Sequence, residues 1–113
     1  PNYAAADVQS ACEVLAASGL EQKVMIDVSH ANSSKQYLRQ IEVTHDVAHQ
    51  VAGGDRRIMG VMIESHLREG RQDLKPGVVL QQGVSITDAC ISWEQTEPLL
   101  HHLAQAVRQR RSV

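Results

Sequence analysis

The stretch "KVMIDVSH", residues 23–30, running straight into "ANSSKQ", residues 31–36, decides the fold. Val24, Met25, Ile26 and Val28 make a continuous apolar strand of the kind buried on both faces of a parallel sheet. The strand then turns abruptly polar, with His30 at the changeover. Packing gives an apolar strand no reason to end on an imidazole. "GVMIESHL", residues 60–67, repeats the arrangement, with Glu64 and His66 at the end of a second apolar run.

The flanking segments read as helices. Residues 5–18 carry Val8, Cys12 and Leu15, with Ala11 beside them, at the three-and-four spacing of one buried stripe, and "SGL" at 18–20 supplies a glycine stop. After the first strand, Ser33 or Ser34 is the expected cap of a long helix reaching about Ala52. Tyr37, Ile41, Val47 and Val51 lie on one side, Leu38 and Ala48 widen the stripe, and "GGD" at 53–55 ends it. "RIMGVMIE", residues 57–64, is the second strand. The polar stretch from Ser65 to Ser85 is long for a connector inside a compact domain, which marks it as functional. A short helical piece near 87–93 and a last helix over about 97–110 complete the reading. Thr96 is its expected cap, Pro98 sits in its first turn, and Leu99, Leu100, Leu103 and Val107 form its stripe. The order is helix, strand, helix, strand, loop, helix, so the two strands pair in parallel with right-handed crossovers. Two strands leave a sheet with open edges. The pattern therefore reads as the end of a larger barrel or doubly wound α/β fold, with residues 1–113 a single partial domain.

With 113 residues, 42% of them hydrophobic and no Phe, the chain is globular with an aliphatic core. A net charge of −2 leaves no basic face for nucleic acid. The one dense basic run, "RQRR" at 108–111, reads as a solvated helix terminus favoured by the helix dipole. No apolar run approaches the roughly 20 residues of a membrane span. Cys12 and Cys90 lack metal-type spacing and have no base partner nearby in sequence. A disulfide stays open, and a reduced, cytoplasmic chain is the preferred expectation. No phosphate-binding loop, dinucleotide fingerprint or nucleophile elbow is present. The start at "PNYAAADV", without an initiator Met, reads as though something upstream had been removed.

Ligands of parallel α/β folds bind at the C-terminal ends of the strands, where the loops converge. His30 and Glu64 both stand there, and Asp88 in "SITDAC" can fold back over the same rim. One imidazole and two carboxylates suit a divalent transition metal. Each residue also has a plainer reading: His30 as a strand cap, Asp88 as a helix N-terminal acid, Asp27 as a buried acid orienting a neighbour. His66 reads as a substrate contact or a solvated loop residue. His45, His49, His101 and His102 fall at exposed helical positions and read as surface residues.

"VMIDVSHANSSKQ", "AGGDRRIMGVMIESHLREG" and "GVSITDACISWE" resemble the C-terminal third of the phospho-2-dehydro-3-deoxyheptonate aldolases, the type I 3-deoxy-D-arabino-heptulosonate 7-phosphate (DAHP) synthase family. The similarity spans essentially the whole chain. It implies a (β/α)8 TIM barrel, of which this chain would hold the sixth helix, the seventh strand and helix, and the eighth strand and helix. It also implies condensation of phosphoenolpyruvate with erythrose 4-phosphate at the entrance to the shikimate pathway. Carried over by motif, the metal ligands are His30, Glu64 and Asp88. The metal is manganese or iron by expectation, with zinc or cobalt as alternatives. Asp27, Asn32, Ser33 and His66 become supporting or substrate-side residues. The family's fourth metal ligand, a Cys, belongs to an upstream strand, and neither Cys12 nor Cys90 stands in its motif. The isolated chain is therefore expected to be inactive, and the parent enzyme a homo-oligomer. Two rival readings remain: a non-catalytic half-barrel interaction module, and another metal-dependent barrel aldolase.

Overall fold

The structure, a computed structural model, describes all 113 residues. In chain order it runs α1 (Ala5–Ala17), β1 (Val24–Asp27), a 3-10 turn (His30–Ser33), α2 (Arg39–Ala52), β2 (Ile58–Met62) and α3 (Trp93–Arg111). β1 and β2 are adjacent and parallel, with Ile26 opposite Val61 and Asp27 opposite Met62. The α/β order read from the sequence is therefore present, with α2 crossing between the strands.

The register slips at one point: Val24 faces Ile58, but Met25 faces Gly60. Met59 is thus an extra residue, a bulge that resets which side chains share a face. Val24, Ile26, Val28, Ile58, Val61 and Ile63 all pack into the helix-covered core. Met25, Asp27 and Met62 alternate onto the other face. That face is bare in this chain: Met25 is 62% exposed and Met59 70%. Burial on both faces, expected from the apolar run, is not met, because only one layer of helices is present to cover the pair. The core is correspondingly thin. Only 19 of 113 residues are buried, and the radius of gyration is 16.3 Å against about 13 Å for a compact domain of this length.

Helix boundaries follow local chemistry. The cap position of α1 is Ala4, which has no side-chain acceptor, so Asp7 reaches back to accept the Ala4 N–H at 3.3 Å. Its buried residues are Val8 and Cys12, while Ala11 is exposed. α2 begins later than expected, at Arg39, and no serine caps it. Ser34 (φ 54°) and Lys35 (φ 60°) are left-handed, which keeps the chain out of a helix there. Ser33 instead donates its hydroxyl to the His30 carbonyl. The buried stripe of α2 is Gln40, Val43, Thr44, Val47, Ala48 and Val51, with Leu38 on the outside.

α3 begins four residues before the expected start. Ser92 Oγ accepts the Gln95 N–H at 3.2 Å, while Gln95 Oε1 accepts the Ser92 N–H at 2.8 Å. This capping box outcompetes Thr96, whose hydroxyl donates to the Ser92 carbonyl within the helix. Pro98 consequently lies inside the helix rather than in its first turn. It leaves the Glu94 carbonyl without a helical donor on an exposed face. Leu99 and Ala106 are buried, Leu103 and Val107 half-buried, and Leu100 is exposed. "RQRR" is not wholly solvated either. Arg110 turns inward and donates to the carbonyls of Asp55 (3.0 Å) and Ile58 (2.9 Å), tying the end of α3 to the start of β2.

The short helical piece expected near 87–93 is extended instead. Ile91 N–H donates to the Glu64 carbonyl, His66 N–H to the Ile91 carbonyl, and Gly70 and Cys90 exchange both backbone bonds. Buried Cys90 and Ile91 form isolated bridges to Gly70 and Ser65 rather than start a helix. The loop before it is ordered by its own bonds, such as Arg68 N–H to the Gly83 carbonyl at 2.8 Å. Gly83 is required there: its φ is 82°, and a Cβ would stand 2.9 Å from the Leu67 Cβ. Both cysteines are free and buried. No helix is long and apolar enough to cross a membrane.

Candidate metal centre

Regular β1 stops at Asp27, three residues short of His30, although Val28 still donates to the Met62 carbonyl at 3.0 Å. Asp27, expected to be a buried acid, is instead 45% exposed on the open face of the sheet, and it organises the turn. Its Oδ1 accepts the Ser29 N–H at 2.8 Å, and its Oδ2 lies 2.8 Å from His30 Nδ1. Its carbonyl accepts from the Asn32 amide at 2.8 Å. His30 itself has φ 49°, a left-handed value unusual for a side chain with a Cβ. Three such residues within six (His30, Ser34 and Lys35) place stored backbone strain at this rim.

With Nδ1 held by Asp27, His30 Nε2 is turned outward. It lies 3.5 Å from Glu64 Oε1 and 3.4 Å from Asp88 Oδ2. The hydrogen bond to Asp27, with the Asp27 and Glu64 charges, raises the imidazole pKa from its ordinary 6.5. Glu64 is anchored at the end of β2 by a residue the sequence reading missed. Gln40, fully buried on α2, accepts the Glu64 N–H at 2.8 Å and donates to the Glu64 carbonyl at 3.1 Å. Its amide thus behaves as a strand neighbour. The signal was present: Gln40 precedes Val43, Val47 and Val51 on one stripe, a polar residue where an apolar one belongs. Ser29, also buried, donates its hydroxyl to Glu64 Oε1.

Asp88 sits on a bend between the bridges at Ser85 and Cys90, not as a helix acid, and its carboxylate is 67% exposed. His30, Glu64 and Asp88 each offer one ligand atom, all within 4.8 Å of one another, and they are the one such group in the molecule. Neither Cys12 nor Cys90 joins it, and burial pushes the Cys90 thiol pKa above its ordinary 9.0. The three share a cleft of about 390 Å³ with Lys35, Tyr37 and Arg71. The supporting residues expected from sequence divide. Asp27, Asn32 and buried Ser33 are hydrogen-bonded into the His30 turn. His66 lies outside the group, exposed, its Nδ1 accepting the Leu67 N–H at 2.8 Å.

The donor set fits a divalent ion. Ligands about 2.1 Å from a metal stand roughly 3.0 to 3.4 Å apart in octahedral or tetrahedral arrangements. The His30 Nε2 separations of 3.4 Å to Asp88 and 3.5 Å to Glu64 lie at and just beyond the top of that range, so a small inward movement of Glu64 would bring both carboxylates to ligand spacing. One nitrogen and two carboxylates favour manganese, iron, cobalt or zinc over purely oxygen-seeking calcium.

The family model of the DAHP synthetase I family matches residues 1–101. The chain belongs to that family. It is 56% identical over 111 residues to the Phe-sensitive phospho-2-dehydro-3-deoxyheptonate aldolase of Escherichia coli K12, covering 98% of this chain and 32% of that protein. A tyrosine-inhibited relative from Schizosaccharomyces pombe is 54% identical, with 98% and 31% covered. The solved phospho-2-dehydro-3-deoxyheptonate aldolase of Francisella tularensis SCHU S4 superposes with a TM-score of 0.90 at 41% identity, over 97% of this chain and 32% of that one. The chain spans about a third of the length of the curated relatives it matches.

Proposed function

We propose that this chain supplies three ligands of the divalent-metal centre of a 3-deoxy-7-phosphoheptulonate synthase. That transferase condenses phosphoenolpyruvate with D-erythrose 4-phosphate to DAHP and phosphate, the first step of the shikimate pathway to aromatic amino acids. The observation that carries the reading is the convergence of His30 Nε2 on Glu64 and Asp88, within 3.5 Å. An interaction scaffold has no use for such a trio. β1 and β2 are then neighbouring strands of a TIM barrel, and the bare face with Met25, Asp27 and Met62 belongs to its interior.

When bound, the divalent metal supplies Lewis acidity toward an aldehyde oxygen or a water. The residues of this chain prepare the site for it. Asp27 fixes the His30 tautomer with the proton on Nδ1, leaving Nε2 its lone pair. Gln40 and Ser29 hold Glu64 from both ends, backbone and carboxylate. Exposed Asp88 closes the group from the far side of the cleft. Lys35 and Arg71 line the same cleft and offer positive charge to anionic substrates.

The test is substitution in the full-length synthase. His30→Ala, Glu64→Ala and Asp88→Ala should each strip bound metal and abolish most turnover. Unchanged metal content in any one of them removes that residue from the site. The isolated chain is expected to release no phosphate from the two substrates. Measurable turnover would overturn the view that ligands outside it are needed.

A further inference from the structure

A second histidine cluster lies away from the cleft, on the outer seam between α2 and α3. His45 and His49 are four residues apart on α2, the spacing that sets two imidazoles on one helix face. His102 of α3 stacks on His45, with ring centroids 4.5 Å apart and planes inclined at 41°. All three line one cleft of about 350 Å³, floored by Ala48, Ala52 and Ala106. No Lys, Arg, Asp or Glu lines it. His30 and His66 hydrogen-bond within their own turn, and His101 faces Glu97 at 3.7 Å. The imidazoles of His45, His49 and His102 have no hydrogen-bond or ion-pair partner in the protein, so their nitrogens are uncommitted.

We infer that His45, His49 and His102 form a transition-metal site that bridges α2 and α3, separate from the His30 centre. Three neutral imidazoles and no carboxylate select zinc, nickel, copper or cobalt and discriminate against manganese and magnesium. The stacked rings do not yet point at one place. All three side chains are exposed, and sharing an ion requires them to leave the stacked arrangement for other staggered rotamers. Ala48, Ala52 and Ala106 line the seam beneath them, and an ion shared by imidazoles of both helices would sit about 2.0 to 2.1 Å from each nitrogen. The inference does not rest on the proposed synthase activity, since it uses none of the same residues.

The experiment is a zinc titration of the full-length protein in a His30→Gln background, followed by imidazole nitrogen–proton correlation spectra and thermal melting. Zinc should shift the resonances of His45, His49 and His102 together, saturating at one equivalent, and raise the melting temperature because the ion joins two helices. His102→Gln should weaken zinc binding about tenfold or more, whereas His101→Gln should leave it unchanged. Manganese should perturb none of the three. These positions are exposed, so the substitutions leave the fold intact. Two results overturn the inference: no shift below about millimolar zinc, or equal affinity after His102→Gln, which would mean an α2 pair that binds alone.

Discussion

Gln40→Leu removes a side chain that is 0% exposed and has no apolar function. Leucine fills a similar volume, so the change isolates hydrogen bonding rather than a cavity. The Glu64 N–H donates at 2.8 Å to Gln40, its protein acceptor, and is orphaned by the change. The Glu64 carbonyl loses the Gln40 amide at 3.1 Å but keeps Ile91 N–H, also at 3.1 Å. An orphaned buried N–H costs about 1 to 3 kcal/mol, and a lost second bond to a carbonyl about 0.5 to 1. Together these cost about 1.5 to 4 kcal/mol. With a urea slope of roughly 1 to 1.5 kcal/mol/M for a chain of this size, the midpoint should fall by about 1 to 4 M. Thr44→Val, another fully buried position on α2, is the control. It loses only a hydroxyl bonded back to the Gln40 carbonyl and should shift the midpoint much less. Because Gln40 positions Glu64, Gln40→Leu should also weaken manganese binding to the full-length protein, measured calorimetrically. Equal midpoints for Gln40→Leu and the parent would refute the claim that this amide completes the end of β2.

Asp27→Asn keeps the size and one acceptor but loses the charge that orients His30. Metal affinity in the full-length protein should drop about 10- to 100-fold with an unchanged circular dichroism spectrum, and unaltered affinity would count against the orienting role. The Arg57 guanidinium, 2.9 Å away, holds the Asp55 carboxyl below its ordinary 3.8. A depressed carboxylate stabilises the fold fully above its unfolded pKa and loses that contribution as pH falls through the lower folded value. Asp55→Asn should therefore cost up to about 1 kcal/mol at neutral pH, and urea midpoints should converge with the parent's below pH 3.8; a gap independent of pH contradicts the pairing. Finally, the bare sheet face and open strand edges should drive the isolated chain to self-associate. Sedimentation showing a monomer throughout the micromolar range would be the contrary result.

What could be read from the sequence was whatever local pattern dictates. The apolar runs ending on His30 and Glu64 specified two parallel strands, and glycine stops placed the ends of α1 and α2. The residues that failed to read out depend on competition or on distant partners. Ser92 and Thr96 are both good caps, and only the reciprocal bond from Gln95 decides for Ser92. Ser34 and Lys35 carry no glycine-like signal for their left-handed backbone, so the late start of α2 was hidden. The segment from Ser85 to Ile91 pairs with residues 65 to 71, a partner that only the fold supplies. Asp88 was legible as a candidate while its route to the site was not. Gln40 was visible as a polar break in an apolar stripe, but its bonds to Glu64 bridge 24 positions of sequence.

The central claim is that His30, Glu64 and Asp88 share one divalent ion. Anomalous diffraction at the manganese edge, from crystals of the full-length protein grown with manganese, tests it most directly. The account predicts a single strong peak about 2.0 to 2.2 Å from His30 Nε2 and from carboxylate oxygens of Glu64 and Asp88. A peak bonded to other residues, with no density joining His30 Nε2 to the two carboxylates it faces, would contradict it.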